Sequence, residues 1–416
     1  MSEWKNFSLG EVAEVTKLAG FEFTKYISYV DDGEIIALRA LNLRNGILDL
    51  TNVKKIKKSV SDKLIRSKLF ANDILLTYTG NGYGDCALVS ENDKYHLAPN
   101  ICKISPNTNI VVPYYLYSYI RSKAFKIKLD NSISGSAQPT IPMKTLRILK
   151  VPLFDLLTQK KIAAVLSALD DKIELNNAIN KNLEAQAQAI FKSWFIDFEP
   201  FGGTMPDDWK EIYLSDIATF IGGYSYKGKE LKNSSTAMIT IKNFNRNGGF
   251  KMDGLKEIIP SAKVKAEHYV EIFDVFVAHT DLTQNAEIIG RAENILSLYG
   301  YEKMIFSMDV VKVIPKTNEV SRFLLSEILR TKKFKVHCME YVNGTTVLHL
   351  SKKALPEYKL FFPTDFSQLT TINKIFSTIY ERLSNNESEN QKLGELRDVL
   401  LPRLMSGEID VSAVEI

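Results

Sequence analysis

The sequence predicts an α/β protein made of two duplicated α/β domains separated by two long helices that form an antiparallel coiled coil. The first observation behind this is self-similarity. Trp4, Lys5, Leu9, Glu11, Val12 and Ala13 recur about 205 residues later as Trp209, Lys210, Leu214, Asp216, Ile217 and Ala218. The second is a pair of apolar seams at a constant offset of 210. Ile162, Leu166, Leu169, Ile173, Asn176, Asn180, Leu183, Ala187, Ile190 and Trp194 step by three and four. Ile372, Phe376, Ile379, Leu383, Asn386, Asn390, Leu393, Arg397, Leu400 and Leu404 follow the same steps. A repeat of that length exceeds the 20 to 50 residues of a solenoid unit, so it marks duplicated domains.

The first domain is placed at 1–152. Short apolar runs at 35–43, 73–80 and 100–105 alternate with turn signals such as Asn45-Gly46 and Asn81-Gly82, and a helix is expected from about Tyr114 to Lys128. A long helix and linker occupy 153–200, starting after Pro152 and ending before Phe198-Glu199-Pro200-Phe201-Gly202-Gly203. The second domain, 201–362, repeats the order, with a helix expected over Arg322–Lys335. The C-terminal long helix and tail occupy 363–416, with Pro402 inside the last turns. Each long helix reads as roughly 38 to 40 residues, or about 57 to 60 Å. One apolar seam cannot be buried by its own helix, so the two are expected to pair. In an antiparallel pair with matched ends, Asn176 and Asn180 fall opposite Asn386 and Asn390, a polar layer that fixes register at some cost in stability.

Composition narrows the function classes. With 416 residues, 45% hydrophobic, the chain can bury two or more cores. No apolar run reaches the roughly 18 residues of a membrane span, and no basic-then-apolar leader opens the chain, so a soluble, cytoplasmic protein is expected. Cys86, Cys102 and Cys338 lack metal-ligand spacing and are odd in number, which points away from disulfides and zinc. The net charge of +4 permits nucleic-acid contact without requiring it. Lys54, Lys55, Lys57, Lys58, Lys63, Arg66 and Lys68 crowd one stretch, and Arg121, Lys123, Lys126 and Lys128 another. Either cluster reads as a solvated face or as a phosphate-holding patch.

No catalytic constellation stands out. Gly223 to Glu230 follows phosphate-loop spacing up to Lys229, but Glu230 replaces the magnesium-binding hydroxyl and would repel a triphosphate. The histidines His96, His268, His279, His337 and His349 lack metal-centre spacing. No metal site or bound cofactor is expected.

The positive signal lies in loops. Thr79, Asn81 and Tyr83 follow the first strand of one pair, and His279, Thr280, Thr283, Gln284 and Asn285 follow its counterpart. Ser136, Gln138 and Thr140 are answered by Thr345, Thr346 and His349; Arg39 and Asn42, and Lys242 and Asn243, are further candidates in the stretches 35–42 and 238–245 that answer each other. Hydroxyl, amide and imidazole groups can read base edges, while basic side chains hold phosphates and set register. Equivalent places carrying different side chains suit one scaffold that reads two short sequences. Turn chemistry accounts equally for any single one of these residues. Phe191, Trp194, Phe195, Phe198, Leu401 and Met405 read as an apolar partner-binding edge on the helices, or as packing against the chain's own domains.

Several stretches are more specific. They are 134–141, 191–200, 280–285 and 396–409, the last reading Leu396-Arg397-Asp398-Val399-Leu400-Leu401-Pro402-Arg403-Leu404-Met405-Ser406-Gly407-Glu408-Ile409. With the two halves and their helices, they make the chain resemble the DNA specificity subunit of a type I restriction-modification system. The departure is 344–350, which replaces the glutamine-proline pattern of the first domain. The resemblance implies two target recognition domains on a bipartite duplex DNA target with a fixed spacer, and helices that act as ruler and docking surface. It also implies two methyltransferase subunits carrying S-adenosylmethionine, and restriction/translocase subunits using ATP and Mg. The chain itself would be a non-catalytic reader, in keeping with its lack of an Asn-Pro-Pro-Tyr-type methyltransferase motif. The alternatives are a duplicated coiled-coil scaffold for protein partners, and a DNA regulator that works without methyltransferase subunits.

Overall fold

The computed structural model describes residues 4–44, 46–80, 82–133, 139–261 and 264–416. The chain divides into two compact units, Met1–Lys172 with Leu393–Ile416, and Ile173–Lys392. Each unit takes one half of each long helix, a partition that cuts across the boundaries read from the sequence.

In the first unit, a four-stranded antiparallel sheet runs in the order Ala13–Lys17, Ile101–Pro106, Ile74–Thr77, Cys86–Leu88. Both faces of Ile74–Thr77 are buried, as its unbroken apolar character requires. The two-residue period sends Ile74 and Leu76 toward the core that contains Tyr115, Leu116, Ile120, Phe125 and Leu129. Leu75, Ala87 and Ile101 go instead into a second core with Leu38, Tyr95 and Leu97. That second core is roofed by a three-stranded sheet, in which Ile35–Leu38 pairs antiparallel with Lys54–Ile56 and parallel with Tyr95–Leu97.

The helix expected over Tyr114–Lys128 is two helices, Pro113–Ile120 and Lys123–Asp130. Apolar periodicity runs across the break, but Ser122 takes the N-cap, its Oγ accepting from the Phe125 N–H at 3.2 Å. The second unit breaks in the same way. Arg322–Leu329 and Lys332–Glu340 are separated by Thr331, whose Oγ1 accepts from the Phe334 N–H at 3.1 Å.

The second unit repeats the plan in its two-, three- and four-stranded sheets. Its four-stranded sheet runs Ala218–Gly222, Val310–Pro315, Val275–Ala278, Ala292–Asn294. Its three-stranded sheet again mixes one antiparallel partner, Lys256–Glu257, with one parallel partner, Lys303–Phe306, around Thr236–Ile239. A parallel pair repeated at the same place in two otherwise antiparallel layouts identifies the duplication at the level of topology.

The long helices are Leu156–Phe195, 40 residues, and Thr370–Met405, 36 residues. They run antiparallel. In the second unit the Asn176 amide donates to Asn390 Oδ1 at 2.9 Å, and Asn386 donates to Asn180 Oδ1 at 2.7 Å. Asn176 and Asn386 are buried, which is the polar layer the two seams predict. In the first unit the same antiparallel pairing puts Arg397 against Asp170 at 2.7 Å.

Each domain is fastened to a helix through a half-buried arginine that ends its first short helix. Arg121 pairs with Asp170 at 2.6 Å, and the Tyr114 hydroxyl donates to the same carboxylate. Arg330 lies 3.1 Å from Glu293 and 3.9 Å from Glu327, and the Tyr380 hydroxyl donates to Glu327 at 2.6 Å.

The apolar edge of the helices serves the chain's own cores. Phe191 stacks on Phe195 with ring centres 4.9 Å apart. Phe195 and Phe198 pack on Trp209 at 5.3 and 5.6 Å, and Trp194 packs on Phe201. Leu401 and Met405 are buried in the first unit's core. These residues of the expected partner edge thus pack at least partly within the chain: each domain opens on a two-stranded sheet, Lys5–Ser8 with Lys150–Leu153 or Trp209–Tyr213 with Lys359–Pro363, and its apolar side needs a cover. The end of a long helix supplies it.

Candidate nucleic-acid interface

In each domain the central sheet strand leads into a loop closed at its neck by two backbone hydrogen bonds. In the first domain, Thr77 N–H donates to Asp85 O and Gly84 N–H to Thr77 O, both at 2.8 Å. In the second, Ala278 N–H donates to Arg291 O at 3.0 Å and Gly290 N–H to Ala278 O at 2.9 Å. The glycines sit two residues before the next strand with φ of +89° and +72°, a region that costs other residues energy. The two necks are equivalent; the loops they close differ in length, residues 78–83 against 279–289.

Each loop is zipped to a distant segment. Gly80 N–H donates to Pro139 O at 3.0 Å, Ile141 N–H to Tyr78 O at 2.9 Å, and the Thr79 and Thr140 hydroxyls share a hydrogen bond of 2.7 Å. In the second domain the contact is a three-stranded sheet, with Leu348–Leu350 between Thr280–Asp281 and Val342–Asn343. The structure therefore brings together the two loop sets singled out in each half of the sequence. Asn81, Ser136 and Gln138 lie outside the described residues.

Within the second loop the side chains divide by role. Asp281 is buried; its Oδ1 accepts from the Thr283 N–H and hydroxyl, both at 2.8 Å, and its Oδ2 from the Ile288 N–H at 2.7 Å. Burial opposes ionisation there, but these donors outweigh it and hold the carboxyl below its usual range. Thr280 is buried and donates to Asp309 at 3.1 Å. Burial, reinforced by the charge of Lys352, pulls His279 down to about 4, so its imidazole is neutral at pH 7. Gln284 donates to Thr345 O at 2.6 Å, which ties the two segments at their exposed edge. Gln284, Asn285, Thr345, Thr346 and His349 are exposed. In the first loop, Tyr83 donates to Asp130 at 2.7 Å, and the Lys126 ammonium lies 3.3 Å from the centre of the tyrosine ring.

Asn42 and Asn243 are fully buried and do not face a ligand. Their Oδ1 atoms accept from the N–H of Arg39 at 3.0 Å and of Thr240 at 2.8 Å. Their amides donate to Asp49 O and Asn52 O in one case and to Lys251 O in the other. They close turns. Arg39 reaches Asn52 O at 2.9 Å, while Lys242 is exposed.

The basic clusters separate as well. Arg121 is held by Asp170, and Lys128 donates to Tyr119 Oη at 2.8 Å and Lys150 O at 2.7 Å. Lys54, Lys57, Lys63 and Arg66 are exposed, and Lys68 is tied to Asp62 and Asp93. Glu230, which breaks the phosphate-loop spacing, is buried. It accepts from Ser261 and Tyr224 and from the Lys227 N–H, donors that hold it down to about 2. Burial pushes all three thiols up to about 12. Among the described residues no cluster of His, Cys, Asp or Glu could hold a metal, and no helix is long and apolar enough to cross a membrane.

A family model described as the type I restriction modification DNA specificity domain matches residues 1–185 and 206–395, both repeats of the chain. The chain belongs to the type I restriction-modification DNA specificity family. The Haemophilus influenzae type I restriction enzyme HindI specificity subunit is 26% identical over an alignment of 475 residues, which covers 98% of this chain and all of that relative. The Methanocaldococcus jannaschii MjaIX specificity subunit is 26% identical over 323 residues, or 72% of this chain and 70% of the relative. The fold is similar to a crystal structure of the type I S subunit from M. genitalium, with a TM-score of 0.56 and 16% identity over 97% of this chain and 96% of that one. As a type I specificity subunit, the chain is the non-catalytic member of its complex.

Proposed function

We propose that this specificity subunit reads a bipartite duplex target in the cytoplasm, each zipped loop pair contacting one half. The observation that carries this is a pairing made at the same place on two equivalent scaffolds, with different uncharged side chains on each, those of the second domain forming an exposed edge. In the second domain the readers are Gln284, Asn285, Thr345, Thr346 and His349, with Thr283 beside them and His279 and Thr280 supporting them from beneath. In the first they are Thr79, Tyr83 and Thr140, together with Asn81, Ser136 and Gln138. Lys242, Arg39 and the exposed lysines around Lys57 hold phosphates, which fixes register without reading sequence.

The paired helices set the gap between the half-sites and dock two methyltransferase subunits, which carry S-adenosylmethionine and modify adenine. The restriction subunits supply ATP-driven translocation and cleavage with Mg. Of the apolar edge, Phe191, Leu401 and Met405 are buried in the chain's own cores, and the half-buried Trp194, Phe195 and Phe198 are the part left to a partner.

The test is a methylome of a methylation-free host that expresses this chain with the methyltransferase encoded beside it. A methyladenine motif in two parts with a fixed gap is the expected result. No motif from a soluble complex would favour a protein scaffold, which would also lack a steep salt dependence on duplex DNA.

A further inference from the structure

We propose that Lys126 and Lys335 are positioning residues that set the conformation of the two reading loops, each governing preference at one half-site. This rests on the reading that those loops face DNA. The two lysines are equivalent: each lies four residues after the N-cap, Ser122 or Thr331, of the second short helix in its domain. Each reaches the backbone of its own domain's loop. Lys335 donates to Ala286 O at 2.6 Å and Glu287 O at 3.4 Å, and also to Ile289 O. Lys126 donates to Tyr83 O at 2.8 Å and covers that residue's ring.

Each loop also returns beneath this helix through its positive-φ glycine. A Cβ at Gly84 would lie 2.9 Å from the Lys126 ammonium, and one at Gly290 would lie 2.7 Å from Cys338 Cβ. Ammonium groups have three donors and no acceptor, so they suit a turn of converging carbonyls. Bound this way, the ammonium fixes backbone without adding a base contact, which is why the same residue type serves two loops that differ in length and sequence. The longer second loop takes three carbonyls, and the shorter first loop takes one carbonyl and a ring.

The experiment offers a fully randomised duplex library to the full chain in complex with its methyltransferase. It compares Lys335→Met, Lys126→Met and the double variant Gln284→Ala/Asn285→Ala. Lys335→Met should flatten base preference at one half about tenfold, the scale of one or two lost base contacts, and leave the other half intact. Lys126→Met should do the reverse. Both should keep the wild-type salt slope, because no phosphate contact is removed; a loss of stability alone would reduce the amount bound and leave preference unchanged. Lys126 is 41% exposed and decides the matter if the Lys335 variant does not assemble. The proposal is overturned if the lysine variants keep both preferences while the Gln284/Asn285 variant changes one. If that loop variant changes neither half, the reading of the loops as DNA-facing falls with it.

Discussion

The two domains fasten themselves to the long helices with the same arginine but opposite charge balance. In the first unit one carboxylate, Asp170, lies between two guanidinium groups, Arg121 and Arg397. In the second, one guanidinium, Arg330, lies between two carboxylates, Glu293 and Glu327. Arg121 and Arg330 both end a short helix, where a cation also meets the negative end of the helix dipole. Duplication kept the group whose place the backbone favours, while the counter-charges, constrained only by their sum with neighbours, diverged. The reading loops follow the same pattern, with equivalent necks and different tips.

The sharpest way to break this comparison is Asp170→Asn. It leaves Arg121 without a carboxylate, while Arg397 keeps Asp398 at 3.0 Å, and should cost about 3 kcal/mol, felt in the first unit. Hydrogen exchange resolved by residue checks the location; protection lost equally in both units would contradict separate clamps.

Next in size is Asp281→Ala in the second loop, where three donors lose one buried acceptor. A loss of about 2 kcal/mol is expected, read as faster exchange over 283–288 with the central sheet unaffected.

The charge balance also sets a pH response. Burial raises Glu293 and Glu327 and Arg330 only partly offsets it, whereas at Asp170 the Arg121 charge, the Tyr114 hydroxyl and Arg397 outweigh burial and lower the carboxyl. For a raised group the stabilising contribution is complete below its unfolded value, near 4.5, and is lost as pH rises through the folded value. For the lowered Asp170 it is present above 3.8 and lost as pH falls through the folded value. As pH falls from 8 toward 5 these clamp groups should therefore favour the second unit over the first, with the raised Asp73 and Asp85 of the first unit opposing the contrast. Glu327→Gln should flatten that slope and stabilise the second unit at pH 8 by about 1 kcal/mol, because it removes the excess buried charge and keeps an acceptor for Tyr380. A slope unchanged in this variant would show that Glu327 does not carry it.

The smallest effect is expected in the polar layer. A double-mutant cycle on Asn180 and Asn386 should return a coupling of about 0.5 to 1 kcal/mol, the net value of one amide hydrogen bond. A coupling of zero would mean that the 2.7 Å contact does not fix the pair.

Much of this was legible in the sequence because burial imposes period. The seams gave the antiparallel pairing and the two-asparagine layer, and the shared strand order gave the duplicated cores. The breaks at Ser122 and Thr331 were hidden because apolar spacing continues through them; the capping hydroxyl was the available signal. Asn42 and Asn243 misled as readers, yet their identity across the repeat was itself a clue. Residues that read different bases should differ, and residues that close the same turn should not. The aromatics at the end of the first helix align with Leu401, Leu404 and Met405 at the end of the second, which marks a shared covering role that single-helix amphipathicity cannot distinguish from a docking edge.

The central claim, two independent readers separated by a helical ruler, is tested most directly by inserting four residues at the same level of both seams and reading the methylome. Four helical residues add about 6 Å, and base pairs stack at about 3.4 Å. The half-sites should stay unchanged and the gap grow by one or two base pairs; an unchanged gap, or altered half-sites, would contradict a helical ruler.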